Sequence, residues 1–228
     1  MASGLVFELP VVSLPIVGSA QRFPVRRIHC VGRNYLDHIR EFGNDEREPP
    51  FFFAKHHDTI VQSGSEIPYP SLTNSYQHEL ELVVALKSGG ANIKKEDALR
   101  HVFGYAVGLD MTRRDLQMAS RKKEQPWEVG KSFDDSAPCG AITPAEKFPD
   151  PFHGKIQLHV NGRLQQNGDL AQMIWNVPEV IAELSKQISL DAGDLIFTGT
   201  PSGVVACGKG DKLVGSVDGL TDLVVTIV

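Results

Sequence analysis

The chain has 228 residues, 41% of them hydrophobic and 22% charged, which suffices for a sizeable core in one large domain. A formal net charge of −5 leaves no basic stripe for nucleic acid, and the short cluster Arg121-Lys122-Lys123 reads as a solvated helix end. Three widely spaced cysteines, Cys30, Cys139 and Cys207, form no C-x-x-C motif and fit buried, reduced thiols of a cytoplasmic protein better than a disulfide framework.

Met1 to Ala20 is apolar, but it carries Glu8, has no Lys or Arg before Arg22, and is interrupted by Pro10 and Pro15, so it fits an export signal poorly. No apolar run approaches the ~20 residues of a membrane-spanning helix. Residues 1–23 are expected to be an extended segment laid over the body, and residues 24–228 a single domain. Arg26 to Gly32 reads as a strand. Asn34 is placed to cap a short helix from Tyr35 to about Phe42, on which His38 and Glu41 would be neighbours at i and i+3. Phe51-Phe52-Phe53-Ala54-Lys55 is a short apolar strand ending in a cation, and residues 56–70 are rich in turns.

Gln77 to Leu86 is the stretch on which the chemistry turns. Its short, initially alternating pattern predicts a strand with Glu79 and Glu81 on one face and Leu80 and Leu82 on the other. A strand with one wet face would alternate in the same way and leave both glutamates solvated. Against that, residues 82–86 have no polar alternation, so the strand enters a core just after Glu81. Two desolvated carboxylates repel unless a positive group lies between them, and a hard divalent cation is one answer.

After Gly89-Gly90, a helix is expected from Asn92 or Lys94 to about Val102, followed by a buried strand, Phe103 to Leu109, with Asp110 at its end. Thr112 is placed to cap a helix over Arg113–Lys122. Residues 123–151 lack periodicity and contain Pro126, Trp127, Gly130 and Lys131, the composition of a site-forming loop. Asn161-Gly162 signals a hairpin between Lys155–Val160 and Gly162–Gln166. A helix over Glu179–Ile188 opens at Pro178, and strands over Leu195–Phe197, Lys212–Val217 and Leu223–Val228 complete the chain. Strands and hairpins dominate, which predicts an α+β domain on a mostly antiparallel, rolled sheet with short peripheral helices.

Asp110, closing a core strand, is placed to join Glu79 and Glu81 as a third carboxylate, a donor set suited to Mg²⁺ or Mn²⁺ rather than zinc; it reads equally as an exposed strand end or helix cap. His38 and Glu41 have the types of a general base and its orienting partner, although the same pair at helical spacing is commonly a surface contact. Lys131 and Arg114 would stabilise an anionic substrate if they are not simply solvated. Thr198-Gly199-Thr200-Pro201-Ser202-Gly203 is similar to an anion-cradling turn but lacks the Walker lysine and spacing.

Taken in order, Val31-Gly32-Arg33-Asn34-Tyr35 with His38 and Glu41, His78-Glu79-Leu80-Glu81-Leu82, Gly108 to Gln117, Gly130-Lys131-Ser132-Phe133, and Gly193-Asp194 through Gly203-Val204 resemble the fumarylacetoacetate hydrolase family. They are most similar to its short acylpyruvate and fumarylpyruvate hydrolase branch, over roughly residues 24–228. The resemblance implies the family's β-roll and a homodimer. It implies Mg²⁺ or Mn²⁺ on Glu79, Glu81 and Asp110, a water-activating dyad of His38 and Glu41, and Lys131, Arg114, Gln117 and Thr200 around the substrate. The activity implied is hydrolysis of the C–C bond of a small 2,4-dioxo acid, with fumarylpyruvate favoured. Oxaloacetate decarboxylation or isomerisation of an unsaturated 2-oxo diacid is the alternative on the same metal–enolate platform. Two departures stand out: Ala54-Lys55-His56 lacks the usual proline after the lysine, and Gln77 stands where many relatives have histidine.

Overall fold

The computed structural model describes residues 4, 6–35 and 48–228, so the helix expected over 35–42, with His38 and Glu41, lies outside the described residues except for Tyr35. Among the described residues strand is the commonest regular structure, arranged chiefly as two sheets. The larger sheet runs, in spatial order, 51–55, 27–32, 194–197, 80–86, 102–109, 137–139 and 60–62, with 143–144 pairing on the side against 102–109. Its neighbours are antiparallel except 194–197 on 27–32 and 137–139 on 60–62. The smaller sheet runs 163–169, 155–160, 212–217, 223–227 and 66–67, parallel only at its last pair. This is the α+β, mostly antiparallel roll expected from the pattern of short strands and hairpins.

The glutamate strand lies inside the larger sheet, and the burial of both its faces explains why its pattern loses alternation. Leu80, Leu82, Val84 and Leu86 enter the core shared with the smaller sheet, beside Leu158, Leu213 and Val225. Val83 and Ala85 face the other way into a second core with Leu14, Cys30, Leu195 and Phe197. Every residue from Leu80 to Leu86 is buried, Glu81 included. A carboxylate on such a strand needs a partner.

The hairpin appears as expected, with strands at Lys155–Val160 and Arg163–Asp169 around Asn161-Gly162. The helix expected from Pro178 starts one residue earlier, at Val177. Asn176 caps it, accepting from the Glu179 amide while the Glu179 side chain accepts from the Asn176 amide. Lys95–His101 is a 3-10 helix rather than an α-helix. Among the described residues no helix is long and apolar enough to cross a membrane.

Thr112 does not cap the helix after it. The helix spans Arg114–Lys122 with no side-chain cap, and Thr112 pairs in a short strand with Gln77. Its hydroxyl donates to the Asp110 carbonyl and accepts from Lys131 Nζ at 2.8 Å, so the buried cation takes the oxygen that a cap would need. All three cysteines are buried and unpaired, and burial raises their thiol pKa values, those of Cys139 and Cys207 to about 12.

Candidate metal and substrate site

Strand register assembles the acidic cluster. Leu80 pairs with Leu109, and one step further along this antiparallel ladder the Asp110 amide donates to the Glu79 carbonyl at 2.8 Å. Asp110 is thereby set beside Glu79, and Glu81 reaches the same place from its own strand. Oxygens of the three carboxylates all lie within 4.8 Å of one another. The residues are 7%, 2% and 0% exposed for Glu79, Glu81 and Asp110, which settles that they are not solvated strand ends.

The 123–151 stretch supplies the cation. It contains a short helix, Glu128–Lys131, packed against the Arg114–Lys122 helix. Gly130 permits this approach, since a Cβ there would lie 2.7 Å from the Gln117 amide nitrogen. Lys131 consequently reaches the acidic cluster, donating to Glu79 Oε2 at 2.7 Å and Asp110 Oδ2 at 2.6 Å. Lys55 closes the other side, with Nζ 2.8 Å from Asp110 Oδ1 and bonds to the carbonyls of Met111 and Lys131. Arg114 pairs with Glu79 and donates from Nε to Gln77 Oε1 at 2.8 Å, giving a use to the glutamine that departs from the family pattern. It also donates to Gln117.

The carboxyls fare differently in this arrangement. Burial opposes ionisation of Glu79, but Lys131 and Arg114 outweigh it and hold its pKa well below the usual carboxylate range. Burial and the neighbouring charges of Asp110 and Glu79 push Glu81 well above that range. Its recorded donor among the described residues is the Gly199 amide, at 2.7 Å from Oε2. Burial likewise opposes the charge on Lys131, yet Asp110 and Glu79 hold its pKa above the ordinary lysine value. A buried carboxyl without a cation of its own, converging with two others, fits a divalent ion with oxygen preference.

The 198–203 turn belongs to the same site. Gly199 takes φ +94, and a Cβ there would lie 2.7 Å from Asn34 Cβ; this conformation lets its amide point at Glu81. Thr200 accepts from Gln166 Nε2 at 2.9 Å, leaving its own hydroxyl proton for another acceptor. A pocket joins these groups; its lining includes Glu79, Glu81, Arg114, Gln117, Lys131 and Thr200. The structure thus gathers every candidate site residue that it describes, with His38 and Glu41 outside the described residues.

Three contributors were not singled out from the sequence. Lys55 left a signal, a lysine ending an all-apolar strand, which only a buried acid would tolerate. Thr112 was assigned to a cap. Gln166 left none: its Oε1 accepts from the Leu80 amide and His78 Nδ1, both at 3.0 Å, while its Nε2 donates to Thr200 and to the Pro201 carbonyl.

A mostly antiparallel roll carrying three converging buried carboxylates beside a cationic pocket defines a protein built to hold a divalent cation and an anionic ligand. Residues 27–228 match the family described as fumarylacetoacetate (FAA) hydrolase, C-terminal, and the chain belongs to that family. It is 42% identical over 180 residues to a fumarylpyruvate hydrolase of Ralstonia sp, covering 79% of this chain and 93% of the relative. It is 41% identical over 198 residues to the mitochondrial oxaloacetate tautomerase FAHD1 of Homo sapiens, covering 87% and 90%. Among solved structures, the fumarylpyruvate hydrolase of Pseudomonas aeruginosa in complex with Mn²⁺ and pyruvate superposes with a TM-score of 0.95 at 51% identity, covering 98% of this chain and 99% of that one.

Proposed function

We propose that this protein is a divalent-metal-dependent C–C bond hydrolase of acylpyruvates, with fumarylpyruvate, giving fumarate and pyruvate, as the favoured substrate. The observation that carries the reading is the convergence of Glu79, Glu81 and Asp110 within 4.8 Å, in a chain 51% identical to a fumarylpyruvate hydrolase solved with Mn²⁺ and pyruvate. Mg²⁺ or Mn²⁺ held by these three carboxylates supplies Lewis acidity toward the 2-oxo acid end of the substrate.

The remaining roles fall to the protein's own side chains. His38, oriented by Glu41, takes a proton from water as the water oxygen bonds to the acyl carbonyl carbon. The assignment of these two rests on their residue types and on the family resemblance. The bond from that carbon to the neighbouring CH₂ then breaks, its electron pair passing into the pyruvate enolate, while the acyl group leaves as a carboxylic acid. Lys131, whose ammonium stays charged beside Glu79 and Asp110, stabilises the enolate until its CH₂ takes a proton. Arg114, Gln117 and Thr200 bind and orient the substrate.

We take 24–228 as one catalytic domain preceded by an extended segment, a reading supported by the family match over 27–228. A cytoplasmic homodimer acting in aromatic catabolism completes the proposal.

A second reading is favoured by the oxaloacetate tautomerase relatives, of nearly the same identity as the Ralstonia hydrolase. Keto–enol interconversion uses the same enolate-stabilising groups but no attacking water. A panel of fumarylpyruvate, acetylpyruvate and oxaloacetate, assayed with Mg²⁺ and Mn²⁺, separates the two. Greater kcat/KM for an acylpyruvate is expected; greater kcat/KM for oxaloacetate would reject the hydrolase assignment.

A further inference from the structure

The pocket contains two guanidinium groups that the chemistry above does not use. Arg33 and Arg121 both line it, together with Phe51, Phe53, Met118 and Trp127. Among the described residues neither arginine has a recorded carboxylate ion pair. Burial, then the like charge of Arg121, lowers the Arg33 pKa, with Glu48 opposing, so the two cations share one electrostatic neighbourhood.

Arg33 is held there against its own backbone preference. Its φ is +57, a left-handed conformation that strains a side-chain-bearing residue and persists only when neighbours over-determine it. Asn34 provides that constraint. It is 1% exposed, donates from Nδ2 to the carbonyls of Trp175 and Thr198 at 2.9 and 2.7 Å, and accepts from the Trp175 amide at 2.8 Å. The turn carrying Arg33 is therefore tied to the turn carrying Gly199 and Thr200. Its guanidinium lies 5.8 Å from the centre of the Phe51 ring.

Arg121 is placed by helix geometry. Arg114, Gln117, Met118 and Arg121 stand at i, i+3, i+4 and i+7, one face of the Arg114–Lys122 helix, and all line the pocket. Seven residues at 1.5 Å each put Arg121 about 10 Å along the axis from Arg114, the arginine bonded to Glu79. Part of the pocket wall is apolar: Phe51 and Trp127 line it and meet edge to face with ring centres 5.5 Å apart.

We propose that Arg33 and Arg121 form a distal carboxylate subsite, which selects acylpyruvates whose acyl group is a flat, unsaturated chain ending in a second acid. The inference rests on the acylpyruvate reading and specifies its substrate class. A planar conjugated chain matches the aromatic wall, and paired guanidiniums recognise a carboxylate through charge-assisted hydrogen bonds. An uncharged acyl end would offer neither guanidinium a charged acceptor.

The test compares fumarylpyruvate with acetylpyruvate, which lacks the distal acid, in Arg33→Asn, Arg121→Gln and the double variant. Asparagine tolerates the left-handed backbone, and Arg121 is exposed, so both substitutions respect the fold. The ratio of kcat/KM for fumarylpyruvate over acetylpyruvate is expected to fall about tenfold for each arginine lost, the scale of one charge-assisted hydrogen bond. Equal losses on both substrates, or an unchanged ratio, overturn the subsite. Calorimetric titration with fumarate gives a second readout that needs no turnover, and weaker binding is expected in both single variants. If the native enzyme hydrolyses no acylpyruvate while fumarate binding still depends on the two arginines, the reaction assignment falls and the subsite stands. Fumarate binding indifferent to both arginines overturns the subsite in either case.

Discussion

Replacing Glu81 with glutamine separates two demands placed on one carboxyl. Glu81 is 2% exposed, and burial together with the charges of Asp110 and Glu79 raises its pKa well above the ordinary 4.5. In metal-free protein the native state therefore keeps a proton that the unfolded chain releases above pH 4.5. Stability must fall as pH rises from there, until the native carboxyl itself ionises. At pH 7 the cost cannot exceed the work of protonating an ordinary carboxyl, on the order of 3 kcal/mol. Glutamine carries no such cost, and its side-chain carbonyl can still accept from the Gly199 amide.

Chelator-treated Glu81→Gln is accordingly expected to be more stable than chelator-treated wild type at pH 7, by about 1–3 kcal/mol in urea unfolding. The advantage should shrink toward pH 4.5. Calorimetry should show Mn²⁺ affinity reduced by more than about a hundredfold, since loss of even an outer partner of a metal ligand costs ten- to a hundredfold. A variant less stable than wild type at pH 7 without metal would refute the electrostatic reasoning. Unchanged Mn²⁺ binding would refute the ligand assignment.

His38→Ala is expected to abolish most acylpyruvate hydrolysis while sparing Mn²⁺ binding, and near-native turnover would remove its role as base. His29 is buried with its pKa lowered to about 4, burial being the main cause, so the unfolded chain binds its proton first. Its contribution is fully present above about pH 6.5 and is lost as pH falls toward 4, up to about 3 kcal/mol; His29→Gln should flatten urea stability across that window, and an unchanged slope would count against this. Gln166→Leu keeps an apolar shape but strands the Leu80 amide and frees the Thr200 hydroxyl. It should destabilise the fold by about 1–3 kcal/mol and raise KM, and native values of both would deny Gln166 a positioning role.

The fold was legible where one physical signal dominates. Asn161-Gly162 announces its hairpin through turn chemistry, and the unbroken run 82–86 announces a strand buried on both faces. The acidic trio was legible for a related reason: two glutamates at the entry to such a run cannot stay unpartnered. Side-chain partners contributed from distant strands were not legible. Thr112 has the composition of a cap and is taken by Lys131, which lies on a separate short helix. Gln166 joins the glutamate strand to Thr200 through three elements distant in sequence, and no local pattern records such a bridge.

Charge bookkeeping explains why the site needs those hidden partners. Glu79, Glu81 and Asp110 carry up to three negative charges, and Lys55, Lys131 and Arg114 lie on Glu79 and Asp110 with three positive ones. With Glu81 protonated the metal-free site carries about one net positive charge, and it reaches neutrality once Glu81 ionises. Adding a divalent ion would leave an excess of about two positive charges, by simple addition. A bound 2-oxo acid brings one negative charge in its carboxylate, and the second appears only as C–C cleavage delivers the enolate. Local neutrality is then reached along the reaction coordinate rather than on binding, and stabilisation that grows with the developing charge lowers the barrier. Lys55, paired with Asp110 Oδ1, contributes one of those positive charges. Its replacement by methionine should therefore depress kcat more than it raises KM, and the opposite pattern would show that the balance is struck at binding.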